Sequence, residues 1–112
     1  KNLSASAPTT LFRDIFFSPL HLDTLSAQIW ELTLTGFKGT CNLGAREGIS
    51  KAEFGLAVAA QKKLPLKNVT ISDSGGISNR APRSLDLRMD VAFVESILGS
   101  TMPTALEEIR KL

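Results

Sequence analysis

Tyrosine is absent from this sequence of 112 residues, and cysteine, histidine and tryptophan occur once each. A single cysteine, Cys41, excludes an internal disulfide, and Cys41 with His21 alone cannot supply the spaced ligand set of a zinc site. No apolar run approaches the roughly 18 residues of a membrane-spanning helix, and no charged start followed by an apolar stretch marks a secretory signal. The chain is expected to be soluble, with a cytoplasmic, reducing setting suited to its lone thiol. A strong charge of either sign is lacking too: 13 basic residues against 11 acidic leave a formal charge of +2, and the basic positions are scattered. With no basic stripe, and six phenylalanines but no tyrosine, there is no platform for single-stranded nucleic acid, and nucleic acid binding is excluded from the reading. The sequence opens on Lys1, so it reads as an excised or processed piece of a longer protein.

Several chemical motifs are missing as well. No Gly-x-Ser-x-Gly elbow accompanies His21, which stands between Leu20 and Leu22 at a helix entrance and reads as a structural or capping residue. Gly39 and Gly44 have the spacing of a phosphate-binding loop, but Ala45-Arg46 follows where Lys-Ser or Lys-Thr is needed. The Gly-x-Gly-x-x-Gly fingerprint is absent, so no tight strand-to-helix turn brings backbone N–H groups to a pyrophosphate. Catalytic, metal and cofactor-binding residues are therefore not expected in this chain.

What is present suffices for one modest core, since 43% of the residues are hydrophobic. The opening through about Ala7 is polar and reads as a frayed end or the remnant of an upstream element. Thr9 to Phe17 suggests one or two short strands. From Leu22, the steps Leu22, Leu25, Ile29 and Leu32 place one apolar stripe on a helix that Gly36 ends. Gly39 to Leu43 is read as a short buried strand. Ser50 with Glu53 forms a capping box, predicting a helix over Lys51 to Lys62 with Phe54, Ala57 and Val58 inward. Val69 to Ile71 suggests a brief strand, Ser72 to Pro82 a polar loop, and Leu85 to Met89 a half-buried strand by its alternation. Asp90 is placed to cap a helix carrying Val91, Val94, Ile97 and Leu98 up to Gly99. Thr104 with Glu107 opens a terminal helix holding Leu106 and Ile109. The fold class is thus α+β, a single unit over residues 1–112 with about four helices and several short strands.

The carboxylates Asp14, Asp23, Asp73, Asp86 and Asp90 sit at element ends, where capping and turn chemistry explains them. Arg80-Ala81-Pro82-Arg83 differs, because two guanidinium groups flank a proline at a loop-to-strand junction. Such a group can grip a phosphate through two parallel hydrogen bonds; a solvated loop accounts for the same residues.

Taken in order, Phe16-Phe17-Ser18-Pro19-Leu20-His21-Leu22-Asp23-Thr24-Leu25, Gly39 to Gly44, Gly48 to Phe54, Ala81 to Asp90, and Leu98-Gly99 through Glu108 resemble the C-terminal half of dTDP-4-dehydrorhamnose reductase-like proteins. These are extended short-chain dehydrogenases, grouped with the NAD-dependent epimerases and dehydratases. The resemblance runs from about Thr10 to near the end. It implies a small C-terminal substrate-binding lobe whose N-terminal Rossmann domain, bearing NAD(P) and a Tyr-x-x-x-Lys pair, lies outside this sequence. A chain without tyrosine cannot supply that phenol, so by itself it is not expected to catalyse the family's chemistry; its parent is expected to be an NAD(P)-dependent oxidoreductase or epimerase. The implied ligand is a nucleotide-diphosphate sugar. Arg83 falls where relatives have an arginine that contacts the diphosphate, although Ser84 replaces the usual following proline. Arg80 is a second candidate contact. Phe17 and Ser18 match a segment near the substrate cleft, where epimerase relatives often carry arginine at the position of Phe17. Asn42 and Gly44 match a turn with a structural role beneath the cleft. The other role open to such a lobe is a non-enzymatic regulatory or interaction subunit. An isolated lobe would also expose the face that meets the Rossmann domain, so self-association is expected.

Overall fold

The computed structural model describes residues 1–76 and 79–112. The polar loop expected over Ser72 to Pro82 therefore includes two positions, Ile77 and Ser78, that lie outside the described residues. Along the chain run β1 (Thr9–Phe12), β2 (Phe16–Phe17), α1 (Leu22–Leu34), β3 (Ile49–Ser50), α2 (Lys51–Lys62), β4 (Val69–Ser72), a single 3-10 turn (Ser74–Gly76), β5 (Asp86–Leu87), α3 (Ala92–Leu98) and α4 (Ala105–Ile109). This is the α+β content expected from the sequence.

Two small sheets organise these elements. β1 pairs in parallel with β4, from Thr9 opposite Val69 to Phe12 opposite Ser72. β2 is the middle strand of the other sheet, antiparallel to β3 and parallel to β5. Parallel neighbours need a long crossover, and α2 lies within the connection of both parallel pairs. The helix packs tightly on β1 because it presents Gly55 there: a Cβ at that position would come within 2.6 Å of Leu11 Cδ1.

Three of the helix starts follow from capping. Ser50 Oγ accepts from Glu53 N while the Glu53 carboxylate accepts from Ser50 N, and Thr104 with Glu107 repeats the arrangement on α4. His21 caps α1, its Nδ1 accepting from Asp23 N at 3.2 Å. On α3 the Asp90 carboxylate accepts from Ala92 N at 3.0 Å, and Gly99 closes the helix at φ 71°.

The core comprises two apolar clusters that share Leu20. One gathers Leu32, Val91, Val94 and Met102; the other gathers Ala45, Ile49, Ala105 and Ile109 against Phe17 and Phe54. On α2 the closest-packed line is Ala52, Gly55 and Ala59, with Phe54, Ala57 and Val58 half-buried beside it. Gly39 to Leu43 forms no strand. Its Cys41 and Leu43 side chains pack on the first cluster, but no backbone ladder accompanies them. The opening residues form turns: Ala5 N, Ser6 N and Ala7 N donate to Lys1, Leu3 and Asn2 carbonyls, and Asn68 Nδ2 donates to Ser6 O.

The apolar stripe of α1 is only partly turned to this core, with Leu32 buried in the first cluster and Leu25 half-buried. Thr24 and Leu32 are buried, whereas Leu22 is 74% exposed, Ile29 51%, Trp30 65% and Leu34 69%. A polar interaction, beside the packing of Leu32, holds this rotation. The Glu108 carboxylate, 4% exposed, accepts from Thr24 Oγ1 at 2.9 Å and His21 N at 3.4 Å, and pairs with Lys111 Nζ at 2.6 Å. Burial pushes the Glu108 carboxyl up, but the Lys111 and Thr24 hydrogen bonds and the Lys111 charge outweigh it and hold its pKa below the ordinary value. Leu85, Leu87 and Met89 are likewise exposed, and β5 extends over only Asp86 and Leu87. Leu106 is exposed on α4 while Ile109 is buried. The result is flat: the radius of gyration is 16.2 Å with extents of 47 × 33 × 18 Å, against about 13 Å for a compact domain of this length.

Beyond β5, the Arg88 side chain forks onto Asp86 at 2.8 and 2.6 Å, and its guanidinium lies 5.1 Å over the Phe16 ring. The fork, helped by Arg88 N–H, brings the Asp86 carboxyl down to about 2.

Two outcomes follow from these carboxylates. Glu108→Ala is expected to cost about 1.5–3 kcal/mol in urea unfolding, the scale of hydrogen bonds to a buried charge. A carboxyl depressed on folding stabilises above its unfolded pKa, about 4.3 for glutamate, and loses that contribution as pH falls through the folded value. Glu108→Gln should therefore flatten the acid limb of stability. For Asp86, NMR titration should show a midpoint near 2 that Arg88→Met returns toward about 3.9, the ordinary aspartate value; no change on substitution would show that the fork does not form in solution.

Candidate functional site

A cleft of about 730 Å3 opens between the β1 edge, the first turns of α2 and the segment leading into β5. Phe17 and Phe54 form its aromatic wall, edge to face with ring centroids 5.1 Å apart. Arg80, Arg83, Ser84 and Leu87 line it from the β5 side, and Lys51, Gly55 and Val58 from α2. A second hollow of about 340 Å3, lined by Asp14, Ser74 and Pro82 among others, also takes in Arg80 and Arg83. The two arginines thus stand between adjoining hollows.

The loop that bears them is tied at both ends. At its start, Arg13 forks onto Asp73 at 2.8 and 3.0 Å, and Asp14 accepts from Ser74 N at 3.0 Å and Ser74 Oγ at 2.9 Å. The Arg13 hydrogen bond and charge draw the Asp73 carboxyl below its ordinary value. At its end, Phe16 N donates to Leu85 O at 2.8 Å and β5 pairs with β2. With the Arg88 fork on Asp86 and the Ala92 N–H bond to Asp90, which stands one residue before the α3 N-cap Val91, these bonds account for four of the five aspartates at element ends: Asp14, Asp73, Asp86 and Asp90. Asp23 lies exposed, 3.7 Å from His21 Nδ1.

Sequence reasoning singled out Phe17, Ser18, Arg80 and Arg83. Three of them, Phe17, Arg80 and Arg83, share the larger cleft. Ser18 stands elsewhere: its Oγ accepts from Met89 N at 3.0 Å and its carbonyl accepts from Ala45 N. Gly44 is required at that spot, since a Cβ there would lie 2.9 Å from Ser18 Cβ and 3.1 Å from Ser18 O. Asn42 is exposed on the approach to this contact. The sequence reading missed Lys51, whose Nζ sits 3.6 Å above the Phe17 ring centroid. In one dimension it is simply the first residue of a helix; only the fold sets it over Phe17.

The electrostatics of the larger cleft are one-sided. Among the described residues, its lining includes Lys1, Lys51, Arg80 and Arg83 and no carboxylate. Arg80, Arg83 and Lys51 form no salt bridge among those residues, in contrast to Arg13 and Arg88, which are taken by aspartates. Unpaired guanidinium groups beside an aromatic wall can hold a phosphate and an adjoining ring together. Among the described residues no cluster of three or more histidine, cysteine or acidic side chains could hold a metal ion, and no helix is long and apolar enough to cross a membrane.

No protein-family model matches the sequence, and no curated protein sequence does. Solved structures do match. A dTDP-4-dehydrorhamnose reductase from Bacillus anthracis str. Ames, in complex with NADP, superposes with a TM-score of 0.82 at 19% identity, over 98% of this chain and 39% of that one. The dTDP-4-dehydrorhamnose reductase from Yersinia enterocolitica gives a TM-score of 0.77 at 14% identity, again over 98% of this chain and 39% of its own. At these identities the likeness is one of fold, and the chain spans about two fifths of each of those proteins. The 112 residues thus have the fold of a part of the dTDP-4-dehydrorhamnose reductases.

Proposed function

We propose that this chain is the sugar-nucleotide-binding lobe of an NAD(P)-dependent reductase of the dTDP-4-dehydrorhamnose reductase type, and that it is not catalytic alone. The observation that carries the reading is the cleft that joins Arg80 and Arg83 to the Phe17–Phe54 wall without a carboxylate among the described residues. Arg83 takes the diphosphate through charge-assisted hydrogen bonds, Arg80 adds a second contact, and Phe17 packs against the sugar or base. Ser18 acts indirectly, by holding the backbone at Met89 beyond β5. The residues in hand do not fit a dinucleotide: they contain no glycine-rich strand-to-helix turn, and NAD(P) is assigned to a Rossmann domain outside them.

The lobe's open apolar surface supports the same division. Leu22, Ile29, Trp30 and Leu34 on α1 form a surface that a neighbouring domain would cover. The proposed parent is soluble and cytoplasmic, and its ligand is a nucleotide-diphosphate sugar.

Calorimetric titration with a dTDP-sugar tests the reading. Arg83→Ala should weaken binding by roughly 10- to 100-fold, the equivalent of losing one hydrogen-bonded charge pair. Unchanged affinity would remove Arg83 from the site. The isolated 112-residue chain should self-associate through α1, and Trp30→Glu should reverse this; a clean monomer in light scattering at high concentration would refute that role for the surface.

A further inference from the structure

We infer that Lys51 is the second arm of a two-sided clamp on a diphosphate, set across β2 from Arg83, and that it makes the cleft select diphosphates over monophosphates. This rests on the proposed phosphate-binding role of the cleft and adds to it a specificity residue on the opposite wall.

The sheet register places the two cations. Phe16 of β2 lies opposite Ser50 of β3 on one side and Asp86 of β5 on the other. Lys51 directly follows Ser50, and its backbone N donates to Ile15 O at 2.8 Å, while Leu85 O on the far side accepts from Phe16 N at 2.8 Å. Two strand spacings separate the flanking strands, about 10 Å in all. Arg83 lies just before β5 and Lys51 just after β3, and both line the same cleft. Side chains of this length, approaching from both flanks, can converge on one group or on two linked anions.

Lys51 is also held, without an ion-pair partner among the described residues, in a way that packing alone does not need. Its Nζ rests 3.6 Å over the Phe17 ring, and Phe17 is braced by Phe54. The ring fixes one side of the ammonium and leaves its remaining N–H donors free to turn toward the cleft. A basic residue in the first turn opposes the helix dipole and would ordinarily be balanced by a carboxylate. The acidic residue of that turn, Glu53, is instead engaged by Ser50 N and Ser50 Oγ in the capping box. Among the described residues Lys51 forms no ion pair, and no carboxylate lines the cleft. A cation kept unneutralised against an aromatic face, across a strand from unpaired arginines, fits a ligand with a second anionic centre.

The test compares dTDP with dTMP as probes, by titration calorimetry on the full-length protein. The unsubstituted protein should prefer dTDP. Lys51→Met, which keeps the stem over Phe17, should cut dTDP affinity roughly tenfold and leave dTMP affinity within about twofold, and Lys51→Arg should restore the preference. Arg83→Ala should weaken both nucleotides. Thermal melting of Lys51→Met shows whether the fold is kept; should it unfold, the Lys51→Gln variant is read in its place. If Lys51→Met leaves dTDP unaffected, or weakens both probes equally, the clamp is overturned while an Arg83→Ala loss keeps the phosphate site. If the unsubstituted protein binds neither nucleotide, the reading of the cleft itself falls, and the clamp with it.

Discussion

Backbone pairing through Phe16 and Phe17 is the constraint on which the cleft depends. These two residues of β2 are the whole contact surface of the middle strand, bonded to β3 on one side and β5 on the other. Through β3 the strand sets the start of α2, and with it Lys51 and the face that carries Gly55 onto β1. Through β5 it sets the end of the loop that bears Arg80 and Arg83. Two residue pairs per ladder are too few to be stable in isolation. The side chains supply the rest: Phe17 packs with Phe54, Phe16 lies under Arg88, and the second core cluster backs the sheet.

The arginines divide into two groups by what they touch. Arg13 and Arg88 each fork onto an aspartate: Arg13 ties the start of the loop, at Asp73, to the β1–β2 turn, and Arg88 folds back on Asp86 at the end of β5. Exposed pairs of this kind contribute about 0–1 kcal/mol. Their value is positional, since among the described residues the 3-10 turn Ser74–Gly76 is the one regular element between Asp73 and β5. Arg80 and Arg83 have no such partner among the described residues and lie where the two hollows meet. Buried Glu108 works in the opposite direction, away from the cleft: it joins α4 to α1 by a carboxylate rather than by apolar contact. That polar anchor and Leu32, packed with Val91 and Val94, together set which face of α1 turns inward.

Local signals in the sequence were read well, and signals that depend on what lies opposite were not. Ser50 with Glu53 and Thr104 with Glu107 gave helix starts at the right residues, and Gly36 and Gly99 gave ends, because caps involve only neighbouring backbone. The stripe Leu22, Leu25, Ile29, Leu32 and the alternation Leu85 to Met89 report that a face is apolar, not which surface covers it. On the stripe Leu22 and Ile29 are open while Leu32 is buried, and on the alternation Leu85, Leu87 and Met89 are all exposed. Gly39 to Leu43 has the composition of a strand, but a strand needs a partner backbone, and the segment packs through its side chains instead. Of the residues that line the cleft, Phe17, Arg80 and Arg83 are singled out by motif order in the sequence. Lys51 is not, because an aromatic ring more than thirty residues away in sequence gives it its place.

The open face of α1 bears on how the lobe works. Fully burying a leucine or isoleucine contributes about 1.5–3 kcal/mol, so leaving Leu22, Ile29, Trp30 and Leu34 largely in water forgoes roughly 5–10 kcal/mol, comparable with the whole stability of an ordinary domain. A flat layer 18 Å thick with such a face is poorly matched to solitary existence. Yet no residue of α1 lines the cationic cleft apart from it. A neighbour covering α1 would therefore meet residues other than those that line the cleft. Coverage of α1 can stabilise the lobe without consuming the arginines. The open face of α1 and the cationic cleft are thus made of separate residues, while Leu20 packs against both core clusters and links the interior between them.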